Sequence, residues 1–303
     1  MNSAAVAAQP QSVDTIDTVD TITRDEFYAK FVSPRKPVVI RKLTEQWRAL
    51  QWTNEYLKLC DRGALLAVKK GDVSKGFRDM VRLTDYISMV ERFEARRNGE
   101  RVGPPPYLHD VPFFYLFPHL TPDIEPFPLQ LLPKWYWPNW HNYIQFFMGP
   151  TGSLTPLHFD TLYTNNLFFQ IVGRKRFILI PADQQRYCYM DGWRWARYDP
   201  DAVDFEKYPL AKAITPVETI LEPGQTLYIP PGTLHQVHGL SYSISFNIDW
   251  HTAQTAREGM MTVFCGAPLK NGYYNLLSYL GVGLKIPSRL LFPYYKSYLN
   301  YVS

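Results

Sequence analysis

The sequence predicts a mainly β domain, a sandwich or barrel, with α/β elements before it and a helical extension after it. Three observations carry that reading. Short β-branched and aromatic segments broken by Gly and Pro turns follow one another from 142 to 248. Helical periodicity is confined to the flanks. And 303 residues at 46% hydrophobic content can bury one large core.

Taken in order, residues 1–22 are Ala, Ser, Thr, Gln and Asp with little to bury, and read as a disordered tail. The main domain then spans 23–251, with its β-core at about 142–250. Arg24-Asp25-Glu26-Phe27 opens a short amphipathic helix, Pro37-Val38-Val39-Ile40 reads as a strand, and Trp47 to Cys60 reads as helix. From Leu83 to Arg97 the positions Tyr86, Ile87, Met89, Val90 and Phe93 recur at helical spacing, ended by Asn98-Gly99 and a rigid junction at Pro104-Pro105-Pro106. Tyr107 to Trp140, rich in Pro and aromatics, reads as irregular wall or lid. Strands are expected at 142–148, 154–160, 166–172, 175–181, 217–221, 226–230, 234–238 and 242–248. The insert at 186–216 is long enough to be a functional loop, and 252–303 reads as helical.

A formal charge of +4 from 32 basic and 28 acidic residues, with no long basic run, gives no clear case for nucleic-acid binding. Cys60, Cys188 and Cys265 are odd in number and far apart, which argues against a disulfide framework and for a reducing compartment, the cytoplasm being the simplest address. Neither a secretory leader nor an apolar run approaching the roughly 18 residues of a membrane span is expected.

The chemistry concentrates in three side chains. His158 and Asp160 stand two apart on an expected strand, so they point to one side and can grip one ion; His235, after the Pro230-Pro231-Gly232 turn, supplies a third ligand from a second strand. Two imidazoles and one carboxylate on one face of a metal leave the opposite positions open, which suits non-heme Fe(II). Each His taken alone is more often an ordinary hydrogen-bonded residue. His238, three residues past His235, faces the other way on an extended strand, and His109 and His251 read as structural or surface residues.

Four blocks in order resemble the JmjC-type, cupin-like hydroxylases of the Fe(II)- and 2-oxoglutarate-dependent oxygenase superfamily. They are Pro156-Leu157-His158-Phe159-Asp160, the run from Asn166 to Arg176, Val203-Asp204-Phe205, and Pro223-Gly224-Gln225-Thr226-Leu227-Tyr228-Ile229-Pro230. The resemblance implies a double-stranded β-helix, a jelly roll whose mouth holds Fe(II), 2-oxoglutarate, O2 and substrate. It implies that Lys175 binds the distal carboxylate of 2-oxoglutarate, that Tyr107 reaches the same carboxylate, and that Thr155, Asn166 and Asn247 are further polar contacts. Each has an ordinary alternative as a strand-end lysine, a core tyrosine or a strand residue. The segment from Asp160 to Asn166 is longer than in the asparaginyl- and lysyl-type relatives, a departure at the substrate-side rim.

The implied reaction is hydroxylation of a protein or peptide side chain, with succinate and CO2 as co-products. A small-metabolite hydroxylase and a non-catalytic cupin-like binding protein are the alternatives, and N-methyl-lysine demethylation a weaker one, since no chromatin-reading module is visible. Lys134 to His141 forms either a substrate wall or core, Asp191 to Tyr198 either a substrate-gripping rim or a solvated lid. The extension from Thr252 closes the end of the barrel, forms a homodimer or docks a partner.

Overall fold

Two sheets lie face to face in the computed structural model, which describes residues 14–69, 71–75, 78–97 and 106–300. The strands are β1 (Asp14–Thr15), β2 (Asp17–Val19), β3 (Val38–Ile40), β4 (Leu65–Lys69), β5 (Arg78–Arg82), β6 (Tyr107–Val111), β7 (Ile144–Gly149), β8 (Leu154–His158), β9 (Asn165–Val172), β10 (Lys175–Ile180), β11 (Met190–Asp191), β12 (Trp195–Ala196), β13 (Val217–Leu221), β14 (Thr226–Ile229), β15 (Leu234–Gly239) and β16 (Ser243–Trp250). Seven form one sheet in the order β1-β13-β10-β15-β8-β12-β11, and nine form the other, β2-β3-β14-β9-β16-β7-β6-β4-β5. Apart from β1 on β13 and β2 on β3, the pairings are antiparallel.

Side chains from both inner faces fill the space between the sheets, among them Phe147, Phe168, Phe177, Leu179, Leu227 and Val237. The outer face of the larger sheet is covered by helices: α1 (Arg24–Phe27), α2 (Asn54–Leu59), α3 (Leu83–Arg96) and α4 (Phe113–Leu116) before the main strands. After them come α5 (Ala253–Met261), α6 (Leu269–Val282) and α7 (Ser288–Tyr295). Thr23 opens α1 with a capping box to Glu26 and Thr252 caps α5, which explains why these boundaries were readable locally.

Three expectations are corrected or refined, and one hairpin is new. Residues 14–19, placed in the tail by composition, are edge strands, Asp14 and Thr15 parallel to Val217 and Glu218 and Asp17 to Val19 parallel to Val38 to Ile40. Their pairing is backbone hydrogen bonding plus a buried Ile16, neither of which a count of apolar residues reveals. Tyr107–Val111, expected to be irregular, is β6, inserted between β4 and β7. The hairpin β4–β5 was not anticipated at all. Trp47 to Cys60 is broken into a 3-10 turn at Arg48–Gln51 and α2, with Thr53 capping the second piece. Residues 1–13, Asn98-Gly99 and Pro104-Pro105 lie outside the described residues.

The extension from Thr252 packs on its own chain: Tyr274, Leu277, Leu291, Tyr295 and Tyr298 join the core beneath the larger sheet. A homodimer through it is therefore not supported, although Phe264 and Leu269 stay exposed on its outer side. Asn271 of α6 donates to the Thr161 carbonyl at 2.9 Å, so the extension braces the lengthened segment between Asp160 and Asn166. A Cβ at Gly281 would overlap the indole of Trp135, whose Nε1 donates to the Ile286 carbonyl at 2.9 Å. Gly281→Val is expected to lower stability by about 1–3 kcal/mol through overpacking. Urea unfolding checks this; an unchanged midpoint would mean that α6 is not docked as described.

No helix among the described residues is long and apolar enough to cross a membrane.

Candidate metal centre

Strands β8 and β15 pair so that His158 stands opposite His235. One extra residue on β8 between the His158 and Thr155 positions makes a bulge, so these two side chains face the same cavity despite their odd spacing. The strand ends at His158, and Asp160, expected on the strand, sits in the turn just beyond it. It still meets the two rings: ligand atoms of His158, Asp160 and His235 lie within 4.8 Å of one another.

The outer nitrogens of both rings are already engaged. His158 Nδ1 lies 2.8 Å from the Pro156 carbonyl and His235 Nδ1 lies 3.1 Å from that of Thr233, contacts that place a proton on Nδ1 and leave Nε2 as the free donor atom. Burial, with Coulombic help from His235 and Arg194, holds His158 well below the usual imidazole range, so the ring is neutral as a metal ligand must be. Asp160 Oδ1 lies 3.6 Å from His235 Nε2, and Asn166 Nδ2 donates to Asp160 Oδ2 at 3.0 Å. This is a fixed ligand set with one anion.

Asn166 thus acts on the carboxylate beside the metal position. Outer-shell partners of this kind are worth roughly 10–100-fold in metal affinity, so Asn166→Ala is expected to weaken Mn(II) binding by about that factor. Calorimetric titration with Mn(II) reads it out, and an unchanged affinity would remove Asn166 from this role.

Deeper between the sheets, Lys175 is 1% exposed. Its Nζ donates to Ser245 Oγ at 2.8 Å and Tyr107 Oη at 3.1 Å, and lies 5.2–5.5 Å from the ring centres of Phe168, Phe147 and Tyr107. Burial pushes the Tyr107 hydroxyl above its usual range, and the neighbouring Thr155 side chain works against that shift. Both hydrogen-bond partners of the ammonium are neutral, and burial pulls Lys175 down to about 7. A buried cation among hydroxyls, behind the Tyr107, Phe147 and Phe168 side chains that line the same cavity as the metal ligands, fits a carboxylate-bearing chelator of the metal.

Other expected residues fall as follows. Asn247 lines the cavity and donates through Nδ2 to Asp249 Oδ1 at 3.2 Å. His238 faces away and pairs with Asp201 at 2.8 Å. Trp135, Tyr136 and Trp140 of the aromatic run belong to the core and do not line the cavity. The 186–216 insert carries β11, β12 and a small apolar cluster with Cys188, Tyr198 and Ile214, and lays Trp195 on the His158 ring at 4.9 Å. Arg194, 5% exposed, enters the lining with its guanidinium 4.4 Å from the Trp195 ring centre.

Sequence reasoning missed His109, Asp110, Gln145, Asp249 and Tyr298, all of which line the cavity. Alternation from Tyr107 and from Asn247 would have found His109 and Asp249. Asp110 breaks alternation: β6 carries an extra residue between Leu108 and Val111, and Asp110 has φ +65°, which turns it inward. Nothing local announces that. Tyr298 arrives from the far end of the chain.

A family model described as the cupin-like domain matches residues 24–256. The arginine-specific demethylase JMJ20 of Arabidopsis thaliana is 28% identical over 257 residues, 75% of this chain and 55% of its own length. The 2-oxoglutarate and iron-dependent oxygenase JMJD4 of Gallus gallus is 28% identical over 260 residues, 78% of this chain and 60% of its own. The tRNA wybutosine-synthesizing protein 5 of Gallus gallus is 26% identical over 249 residues, 76% of this chain and 74% of its own. The chain therefore spans little more than half the length of the first two.

Proposed function

Because this chain belongs to the family of cupin-like domains, we propose that it is an Fe(II)- and 2-oxoglutarate-dependent oxygenase that hydroxylates a side chain of a protein or peptide. One observation carries the reading: His158, Asp160 and His235 converge on one point in a cavity also lined by Tyr107, Phe147 and Phe168, the residues packed around the buried Lys175 ammonium. The names of the similar proteins, an iron-dependent oxygenase and a demethylase among them, support the same chemistry.

In this reading His158 and His235 hold iron through Nε2 and Asp160 through a carboxylate oxygen. Iron with 2-oxoglutarate supplies O2 activation coupled to oxidative decarboxylation, giving succinate, CO2 and an oxygen atom inserted into a C–H bond. Lys175 and Tyr107 bind the distal carboxylate of the cosubstrate by charge-assisted and neutral hydrogen bonds, with Thr155 beside them on the cavity wall. The Pro156 and Thr233 carbonyls and Asn166 keep the ligands oriented. Phe147, Phe168 and Phe177 wall the cosubstrate end against water, which strengthens the Lys175 contact. Trp195 and Arg194 border the side where substrate enters.

Incubation of the full chain with 2-oxoglutarate and Fe(II) is expected to release succinate only when the metal is present. A peptide pool gaining the mass of one oxygen supports the proposal; a gain confined to a metabolite pool shifts it to a small-metabolite hydroxylase. Absence of both succinate and mass change would leave a cupin-like binding protein.

A further inference from the structure

A groove of about 620 Å3 opens where the C-terminal helices meet the segment 133–138, and it shares no residue with the metal cavity. Pro133, Trp135 and Pro138 come to it from that segment, Val282 and Pro287 from the junction of α6 and α7. The two sides are pinned together. The Trp135 indole lies against Gly281, where no side chain stands in the way, and its Nε1 donates to the Ile286 carbonyl at 2.9 Å. The end of α6 is fixed in turn, the Gly283 amide donating to the Tyr279 carbonyl at 2.8 Å and the Ile286 amide to that of Leu280 at 3.1 Å. The groove is therefore preformed, and its volume is that of a site for a guest.

Its charge is one-sided. Lys134, Lys285 and Arg289 border it, all three exposed, and no acidic residue does. None of the three pairs with a carboxylate among the described residues; Lys134 Nζ lies 5.9 Å from the Trp137 ring centre. Exposed cations elsewhere on the protein do find carboxylates, as in Lys36 with Asp17 and Arg174 with Glu222. The first turn of α7 adds no acidic residue of its own. Leu284, Leu290 and Tyr294, on the same junction and helix, are more than half exposed.

Three like charges around one apolar space repel one another. A guest with carboxylates offsets that repulsion, while its apolar side chain displaces water from the prolines and the indole. Walls of Pro and Trp suit an extended peptide segment. A nucleic-acid strand fits less well, because its affinity comes from many phosphates neutralised along a track. Here three cations surround one slot, in a chain of formal charge +4.

We propose that this groove docks an extended segment of another protein in which acidic residues flank an apolar side chain. The proposal goes beyond the oxygenase reading and does not depend on it, since the two sites share no residue.

The test offers a random short-peptide library, displayed on phage, to the immobilised full chain, and measures the enriched peptides in solution by fluorescence anisotropy. They are expected to carry acidic residues around an aliphatic or aromatic one, and to bind less tightly as salt rises from about 0.05 to 0.3 M. Lys285→Gln combined with Arg289→Gln is expected to weaken them roughly 5- to 30-fold, the loss of two exposed ion pairs, at an unchanged unfolding temperature. Lys285→Glu combined with Arg289→Glu is expected to turn the preference towards peptides whose acids are replaced by lysine, a reversal that misfolding cannot produce. No enrichment, enrichment of acid-free peptides, or binding that survives both double variants would each overturn the proposal. Tighter retention of a single-stranded RNA oligonucleotide than of the peptides would replace it with a nucleic-acid interface. Self-association in sedimentation that the Glu variant abolishes would replace the partner with a second copy of this chain.

Discussion

Asp160→Ala is expected to abolish metal binding and succinate formation while the chain stays folded. Asp160 supplies the only anion among the three converging ligands, and the two that remain are imidazoles. Losing an outer-shell partner costs roughly 10–100-fold in metal affinity or activity, so losing the ligand itself exceeds that range. The fold tolerates the change because Asp160 lies in a turn beyond β8, and its hydrogen-bond partner, Asn166, stays anchored within β9. Mn(II) titration, succinate release and thermal unfolding read the three parts separately. Full activity in the variant would show that these side chains do not hold the catalytic metal.

Replacing Lys175 with the similarly sized methionine is expected to raise the 2-oxoglutarate requirement by roughly 10- to 150-fold, the equivalent of about 1.5–3 kcal/mol for one charge-assisted hydrogen bond. Turnover at saturation changes less, since Lys175 lies away from the metal ligands. The same residue makes the ligand-free protein pH-dependent. Its folded-state value is about 7, below the ordinary 10.5, so between these values the unfolded chain binds more protons than the folded one. Stability of the ligand-free chain therefore rises as pH increases from about 7 towards 10.5 by this group, while affinity for the dicarboxylate falls over the same interval as the ammonium deprotonates. Lys175→Met removes both trends. A wild-type 2-oxoglutarate affinity that stays flat from pH 7 to 9 would mean that Lys175 is not its anchor.

Much of the site was legible because its signals are local. The expected strands at 175–181, 217–221 and 226–230 agree with β10, β13 and β14 to within a residue, since each is bounded by Gly or Pro turns. His235 and His238 were separable by strand direction, and the structure sends them to different partners. The aromatic run at 134–141 could not be assigned from composition, because a Trp that fills a core and one that lines a pocket look alike in sequence. Burial of Tyr136 and Trp140, with Trp135 packed partly exposed against the same core and none of the three lining the cavity, decides it.

By itself the sequence determined the metal-ligand types and a β-rich body with helical flanks, because period-2 alternation, turn chemistry and capping act over a few residues; Lys175 and Tyr107 stood out only through the family resemblance. Only the tertiary structure decided that Asp110 points inward, that Thr155 and His158 share a face, that residues 14–19 close two sheet edges, and that Tyr298 reaches the cavity. Each of these depends on a partner distant in the chain. A bulge exists only relative to the strand it pairs with, and an edge strand is held by backbone bonds that carry no side-chain signature.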